Sequence, residues 1–534
     1  MVKGIQDGSF YHVCKQLLLT IVIICNVYSE LCIGSVNYCE KESNSTVSTM
    51  KSVYIPKLTQ LLKHSVNALS PSVPFEEEDE KALATLVFES MYTSGRVYHS
   101  MQHVFNILED NSDSIGDDPM LILSVIFHDI IYYSVDKEFQ PAQLKILESI
   151  LAFDTSEEET EDGEKKQPQL QQPLALSSEA QDDPVNDMTI RLFGLEAGMT
   201  LPKLGTNEFL SAAIGVRVLS KWLSHIQLTQ LAACIEGTIP FRPPSSDGKT
   251  AMDRLYDRLV TVAPNQPEDW LVQTIHYTAA MANCDLSSFD SFNFDFFLDS
   301  NWSLTPEWRP AILKEDCPLK EYHDEFMSRV GGNNFLLAIV PNIFQAFRNV
   351  PTVDEIAAKQ DQATKNLKLV DRYAQVRRLQ LMILMEFVTI VGDNPDTIPG
   401  RPFLQLDVPE THPYSKEDDD EVRKLLHNGR RESFDWDPAK CTLGTYLYDK
   451  LGKNGVDSAV EVGKNNEVGS CRLLNHLPEE VVEVVASSLV KVMPNRSIAL
   501  SQVFNKLGIS EKVIDFSDKV EVVIGEQVTC TSAE

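Results

Sequence analysis

Cysteine is scarce: there are ten in 534 residues and no pair stands at C-x-x-C spacing. That excludes a disulfide scaffold, a zinc ribbon and a thioredoxin-like redox site. Positive charge is also short, with 47 Lys plus Arg against 78 Asp plus Glu and a formal charge of −31. With no local basic patch to offset that field, duplex nucleic acid is excluded as the main partner. The apolar run Leu17 to Val27 falls well short of the roughly 20 residues that span a bilayer, so no transmembrane span is expected there. Preceded by Lys15 and followed by the small Ser29, it suits the apolar part of a signal peptide. Asp7 in the leading segment argues against that. Residues 1–50 therefore read as a targeting segment that sends the chain into the secretory route, or as a buried N-terminal helix in a cytoplasmic protein. Asn44, Asn301 and Asn495 open glycosylation sequons, which matter only on the secretory route.

The chain is not poor in core-forming residues: 43% are hydrophobic, enough to build real cores, and the length allows two to four domains. Apolar residues recur at helical spacing over Val53–His64, Glu76–Tyr92, Val97–Leu108 and Met120–Tyr133, the last started by Asp118-Pro119. Helices are again predicted at 207–225, 228–236, 267–284, 320–347 and 352–392, and almost nothing before residue 400 reads as strand. The fold class is all-α. Between Asp154 and Asp187 eleven acidic residues face two lysines among Gln, Pro and Ser, a composition that predicts a disordered, dispensable insertion. Residues 401–420, with their prolines and the acidic run Glu417–Glu421, read as a linker. Beyond it, a helix at 478–492 and an alternating Lys519–Cys530 suggest a small mixed α/β domain over 421–534.

The chemistry concentrates in a few histidines. His99 and His103 lie four apart, so one helix would put both imidazoles on one face. His128-Asp129 closes the apolar run Leu121–Phe127, where buried polar groups need partners. A divalent cation or a hydrogen-bonded core pair would supply them. Asp285, in Met281-Ala-Asn-Cys-Asp-Leu-Ser, is a carboxylate that either ligates or caps a helix, with Asp290 as its alternative.

Tyr98-His99-Ser-Met-Gln-His103, His128-Asp129, Asn207-Glu208-Phe-Leu-Ser211-Ala212 and Asp285 together resemble the HD superfamily of metal-dependent phosphohydrolases. The match is to bacterial HD phosphohydrolases and, more distantly, to cyclic-nucleotide phosphodiesterases, and it covers roughly residues 75–295 of a helical domain at 51–400. The resemblance implies an HD-type helical bundle with His103, His128, Asp129 and Asp285 holding one divalent ion (Mn, Mg, Co, Ni, Fe or Zn). It implies a small phosphate ester, foremost a nucleotide, as substrate and His99 as the acid that protonates the leaving oxygen. Glu208 would position water or a ligand, and Arg96 would clamp phosphate. The extra histidines of two-metal relatives are missing. Glu236 stands near where one would be, as a replacement ligand or a solvated helix end, and His276 reads as an ordinary half-buried histidine. An inactive nucleotide sensor or scaffold on the same fold is the competing reading.

Overall fold

The computed structural model describes residues 44–93, 95–136, 138–152, 173–242, 244–411 and 420–507. The apolar run Leu17–Val27 and the expected strand Lys519–Cys530 lie outside them. Among the described residues, the only strands are the antiparallel two-residue pair β1 (Leu151–Ala152) and β2 (Ala175–Leu176); the rest of the regular structure is helical. No described helix is long and apolar enough to cross a membrane. The chain divides at Val53/Tyr54, and the candidate site lies wholly in the larger, second unit.

The helices of the first half that build the site and its core are α1 (Asn44–Ala68), α2 (Glu77–Met91), α3 (Met101–Asp110), α4 (Pro119–Phe127), α5 (Pro184–Leu192), α6 (Thr206–Leu219), α7 (His225–Gly237) and α8 (Glu268–Asp285), with further helices between them at Pro141–Leu147 and Ala251–Val262. Their ends follow from local chemistry. Four acids in the first turn of α2 face the positive end of the helix dipole. Asp118 caps α4 by accepting from the Met120 and Leu121 amides at 2.9 and 3.0 Å, with Pro119 at the first helical position. A Ser224/Gln227 capping box starts α7. Helix α7 packs against α4, α6 and α8, and Leu231, Ala232, Ala233 and Ile235 are fully buried in a core that also takes Leu123, Val125, Ile126 and Phe127.

A second apolar cluster lies later in the chain, on α9 (Leu319–Ile339), α10 (Val353–Ile390), α11 (Thr442–Lys464) and α12 (Glu479–Val492). It includes Phe403, Leu404, Leu406 and Val408, so the described start of the expected linker is packed. The described residues of 421–507 hold helices, the one expected at 478–492 among them, and no strand. Asn301 is only 5% exposed, which removes it as a glycan acceptor in the folded chain.

Two sequence expectations need correction. The helix expected to run to Tyr133 stops at Phe127: the Val125 carbonyl accepts from the His128 ring at 2.9 Å, the Ile131 amide donates to Ser211 Oγ at 3.1 Å, and the carbonyls of Asp129 and Ile130 beyond them accept from the Arg96 guanidinium at 2.6 and 3.3 Å. The expected disordered insertion 154–187 is folded from residue 173 onward. Leu174, Leu176 and Ala180 are buried, Leu176 pairs with Leu151 in the β1–β2 ladder, and Asp183 caps α5. Average composition hid three apolar residues at the end of an acidic segment. Leu176→Ala is accordingly expected to cost about 2–5 kcal/mol, the usual range for a buried leucine. Urea unfolding reads it, and a loss below about 0.5 kcal/mol would show that this segment contributes nothing to the core.

Candidate metal centre

His103, on the first turn of α3, is 6% exposed, and His128, the residue that ends α4, is 1% exposed. The His128 ring is fixed by Nδ1, which donates to the Val125 carbonyl at 2.9 Å. In the neutral ring Nε2 therefore points its lone pair at the site, buried and without a hydrogen-bond donor. Around it stand Asp129 Oδ2 at 3.1 Å and Asp285 Oδ1 at 3.3 Å, with Asp285 the last residue of α8. His103 Nε2 lies 3.2 Å from Asp285 Oδ1 and 3.9 Å from Asp129 Oδ2. His103, His128 and Asp285 offer ligand atoms that all fall within 4.8 Å of one another. Ligands held roughly 2.1 Å from a cation sit about 3.0–3.4 Å apart at octahedral or tetrahedral angles; the separations of Asp285 from both histidines and of Asp129 from His128 fall in that range, while Asp129 stands wider from His103, and imidazole and carboxylate are donors a divalent ion takes.

Without a cation the two carboxylates act on the imidazole instead. Burial disfavours the imidazolium of His128, but Asp129 and Asp285 outweigh it and its pKa rises well above the ordinary value. Burial likewise opposes ionisation of the carboxylates; the histidines prevail, drawing Asp129 far down and Asp285 to about 2. A proton and a metal ion are therefore alternative occupants of the same negative site.

His99 is not on the helix expected for it. Helix α3 starts at Met101, and His99 lies in the preceding turn, with its ring centroid 5.8 Å from that of His103. It is held by Glu307, from the one-turn helix Thr305–Trp308. Glu307 Oε2 accepts from His99 Nδ1 at 2.5 Å, while Oε1 accepts from the amides of Val97, Tyr98 and His99 at 2.8, 2.7 and 2.9 Å. Tyr132 stacks on the same imidazole at 4.0 Å between centroids. Burial would lower the pKa of His99, but the Glu307 and Asp129 carboxylates turn the shift upward, which favours the imidazolium.

Glu208 opens α6, and its neighbours explain its placement. Asn207 Oδ1 accepts from the Tyr133 amide at 2.7 Å, and Ser211 Oγ both accepts from and donates to the backbone of Ile131, at 3.1 and 3.3 Å. The Asn207-to-Ser211 segment thus braces the chain that leaves His128-Asp129. Burial lifts the Glu208 carboxyl to about 7, with the charges of Asp129 and Asp285 adding to it.

Arg96 is a correction to the phosphate clamp. All five guanidinium N–H donors are committed: two to Asp136, at 2.8 and 2.5 Å, and the others to the carbonyls of His99, Asp129 and Ile130. It ties the turn before α3 to the chain after α4 and has no donor left for a substrate. Arg96→Met should leave Asp136 buried and unpaired, at a cost of about 3–5 kcal/mol. A phosphate clamp would instead raise KM with stability intact, so denaturation and kinetics on one variant distinguish the two roles.

Glu236 is also corrected. It is 1% exposed and held between Arg242, at 2.5 Å, and Arg258, neither as a solvated helix end nor as a second-metal ligand. Asp290 is paired with Lys359 at 2.7 Å, leaving Asp285 as the carboxylate at the histidines. His276 is half-buried with its ring edge-on to Phe347. Glu307 and Asp136 escaped sequence reasoning. Glu307 lies beyond the 75–295 span of the resemblance, and its only local signal, a proline-started turn between two tryptophans, points to a cap.

No family model matches the chain, and neither a curated protein nor a solved structure does.

Proposed function

We propose that this chain is a metal-dependent phosphohydrolase with an HD-type helical core, acting on a small phosphate ester and foremost on a nucleotide. The observation that carries this reading is His128 Nε2, buried and without a hydrogen-bond partner, directed at Asp129 and Asp285 beside the Nε2 of His103. The preference for a nucleotide comes from the sequence resemblance alone.

His103, His128 and Asp285 would hold the ion, with Asp129 completing the set. When bound, a divalent cation at this place lowers the pKa of water and polarises a phosphoryl oxygen. The protein's own groups supply the proton chemistry. Glu307 favours the imidazolium of His99 and occupies its Nδ1, so in that form Nε2 carries the proton that a leaving oxygen would take. Glu208 would accept a proton from the attacking water; its pKa of about 7 suits that task, and positive charge brought into the site would draw it lower.

The test is hydrolysis of mono- and diester nucleotides by the purified full chain, with Mn²⁺, Mg²⁺, Co²⁺ and Ni²⁺ in turn. Turnover that requires added metal and is lost in Asp285→Asn is expected. Stoichiometric metal without hydrolysis of any ester would replace the enzyme by the sensor reading.

A further inference from the structure

Helix α10 carries a second buried cation, far along the chain from the histidines. Arg378 is 2% exposed, and its Nε and Nη2 have no hydrogen-bond partner. Its neighbour Arg377 is engaged with Asp437 and Gln380, whereas Arg378 forms no ion pair with any described residue. Burial lowers its pKa, and the fields of Glu461 and Asp371 only partly offset this. An uncompensated charge in such a place is costly, and a cavity adjoins it.

That cavity, about 210 Å³, is lined by Arg378 together with Met327, Met382, Met385, Leu473 and Ser470. Three methionines give an apolar wall that adapts to an irregular guest. Gly463 lets that wall close up, since a Cβ there would stand 2.1 Å from Met382 Cε. Of the two acids on the wall, Glu467 is exposed to solvent and Glu386 is turned to the backbone: it accepts from the amides of Gly469 and Cys471, each at 2.6 Å. Lys464 and Asn466 add donors to the lining. One unpaired positive charge beside an apolar wall matches one negative charge on an apolar body, and a cavity of roughly 150 Å³ already takes a benzene ring.

We infer that this cavity is a binding site for a small amphiphilic monoanion, whose anionic group compensates Arg378 and whose apolar body rests on Met382, Met385 and Leu473. The site shares no residue with the metal centre, so it is independent of whether the chain is a hydrolase.

Benzoate titrated into the full chain carrying ¹³C-methyl methionine tests it. Saturable shifts at Met327, Met382 and Met385 are expected. Arg378→Met should weaken binding at least tenfold; it exchanges an unpaired buried charge for an apolar chain, so folding is expected to persist. Benzyl alcohol, of similar shape without the charge, should bind at least tenfold more weakly than benzoate. Inorganic phosphate, which lacks the apolar body, should fail to displace benzoate at equal concentration. The inference is overturned if these three methyls do not move in the parent protein, if Arg378→Met binds benzoate equally well, or if either control matches benzoate.

Discussion

His128→Ala is expected to abolish stoichiometric divalent metal and, with it, any hydrolysis of phosphate esters, while helix content stays near that of the parent. The loss should exceed the 10- to 100-fold drop in metal affinity typical of removing a residue that only orients a ligand, because Nε2 is itself a donor atom. Its Nδ1 is already committed to Val125, so the ring has no alternative role in the helix to fall back on. The pH dependence follows from the same geometry. In the metal-free protein, Asp129 and Asp285 hold the His128 pKa above its ordinary value, so at neutral pH a cation must expel a proton to bind. Affinity should therefore fall as pH drops, and binding should release protons, measurable by calorimetry in buffers of different ionisation enthalpy. Full metal content in His128→Ala would show that this histidine is no ligand.

The helices were largely legible because their signals are local. Asp118-Pro119, Ser224 with Gln227, and Thr352 with Glu355 mark starts that the structure places within a few residues of expectation. The end of α4 was not legible. Apart from His128-Asp129 its sequence stays apolar to Ile131, and the chain leaves the helix where distant side chains take its backbone groups: Ser211 the Ile131 amide and Arg96 two carbonyls, contacts across more than thirty positions. Composition averaged over a window likewise missed Leu174 and Leu176, which are held by pairing with Leu151 and its surroundings and not by any local pattern.

At the site, the residues with distinctive chemistry, His103, His128, Asp129 and Asp285, were visible as types, and the fold brings them together. The residues that hold them in place were not visible. Arg96 looked like a phosphate ligand because an arginine beside histidines invites that reading; only its five bonds show that it is spent on backbone and Asp136. Glu307 had no signal for this role, which depends on three amides and a ring that lie more than 200 residues earlier.

That dependence gives the second large effect. If His99 delivers the leaving-group proton, His99→Ala should lower turnover by about two to four powers of ten with metal content unchanged. A nitrophenyl ester, whose leaving group needs no proton, should be hydrolysed nearly as well by the variant as by the parent. Glu307→Gln separates this role from support of the turn. Glutamine keeps an oxygen for the amides of Val97, Tyr98 and His99, but it presents an N–H to His99 Nδ1 and removes the negative charge. The ring is then driven to the tautomer with Nδ1 unprotonated, and with its main opposing charge gone, burial draws its pKa down. Parent activity should decline as pH rises through the elevated His99 pKa. In Glu307→Gln that alkaline limb should move to lower pH for ordinary esters and be absent for the nitrophenyl ester. A variant that loses both substrates alike with the limb unmoved would show that Glu307 only shapes the turn, and rescue of His99→Ala by excess metal would show that His99 only supports His103.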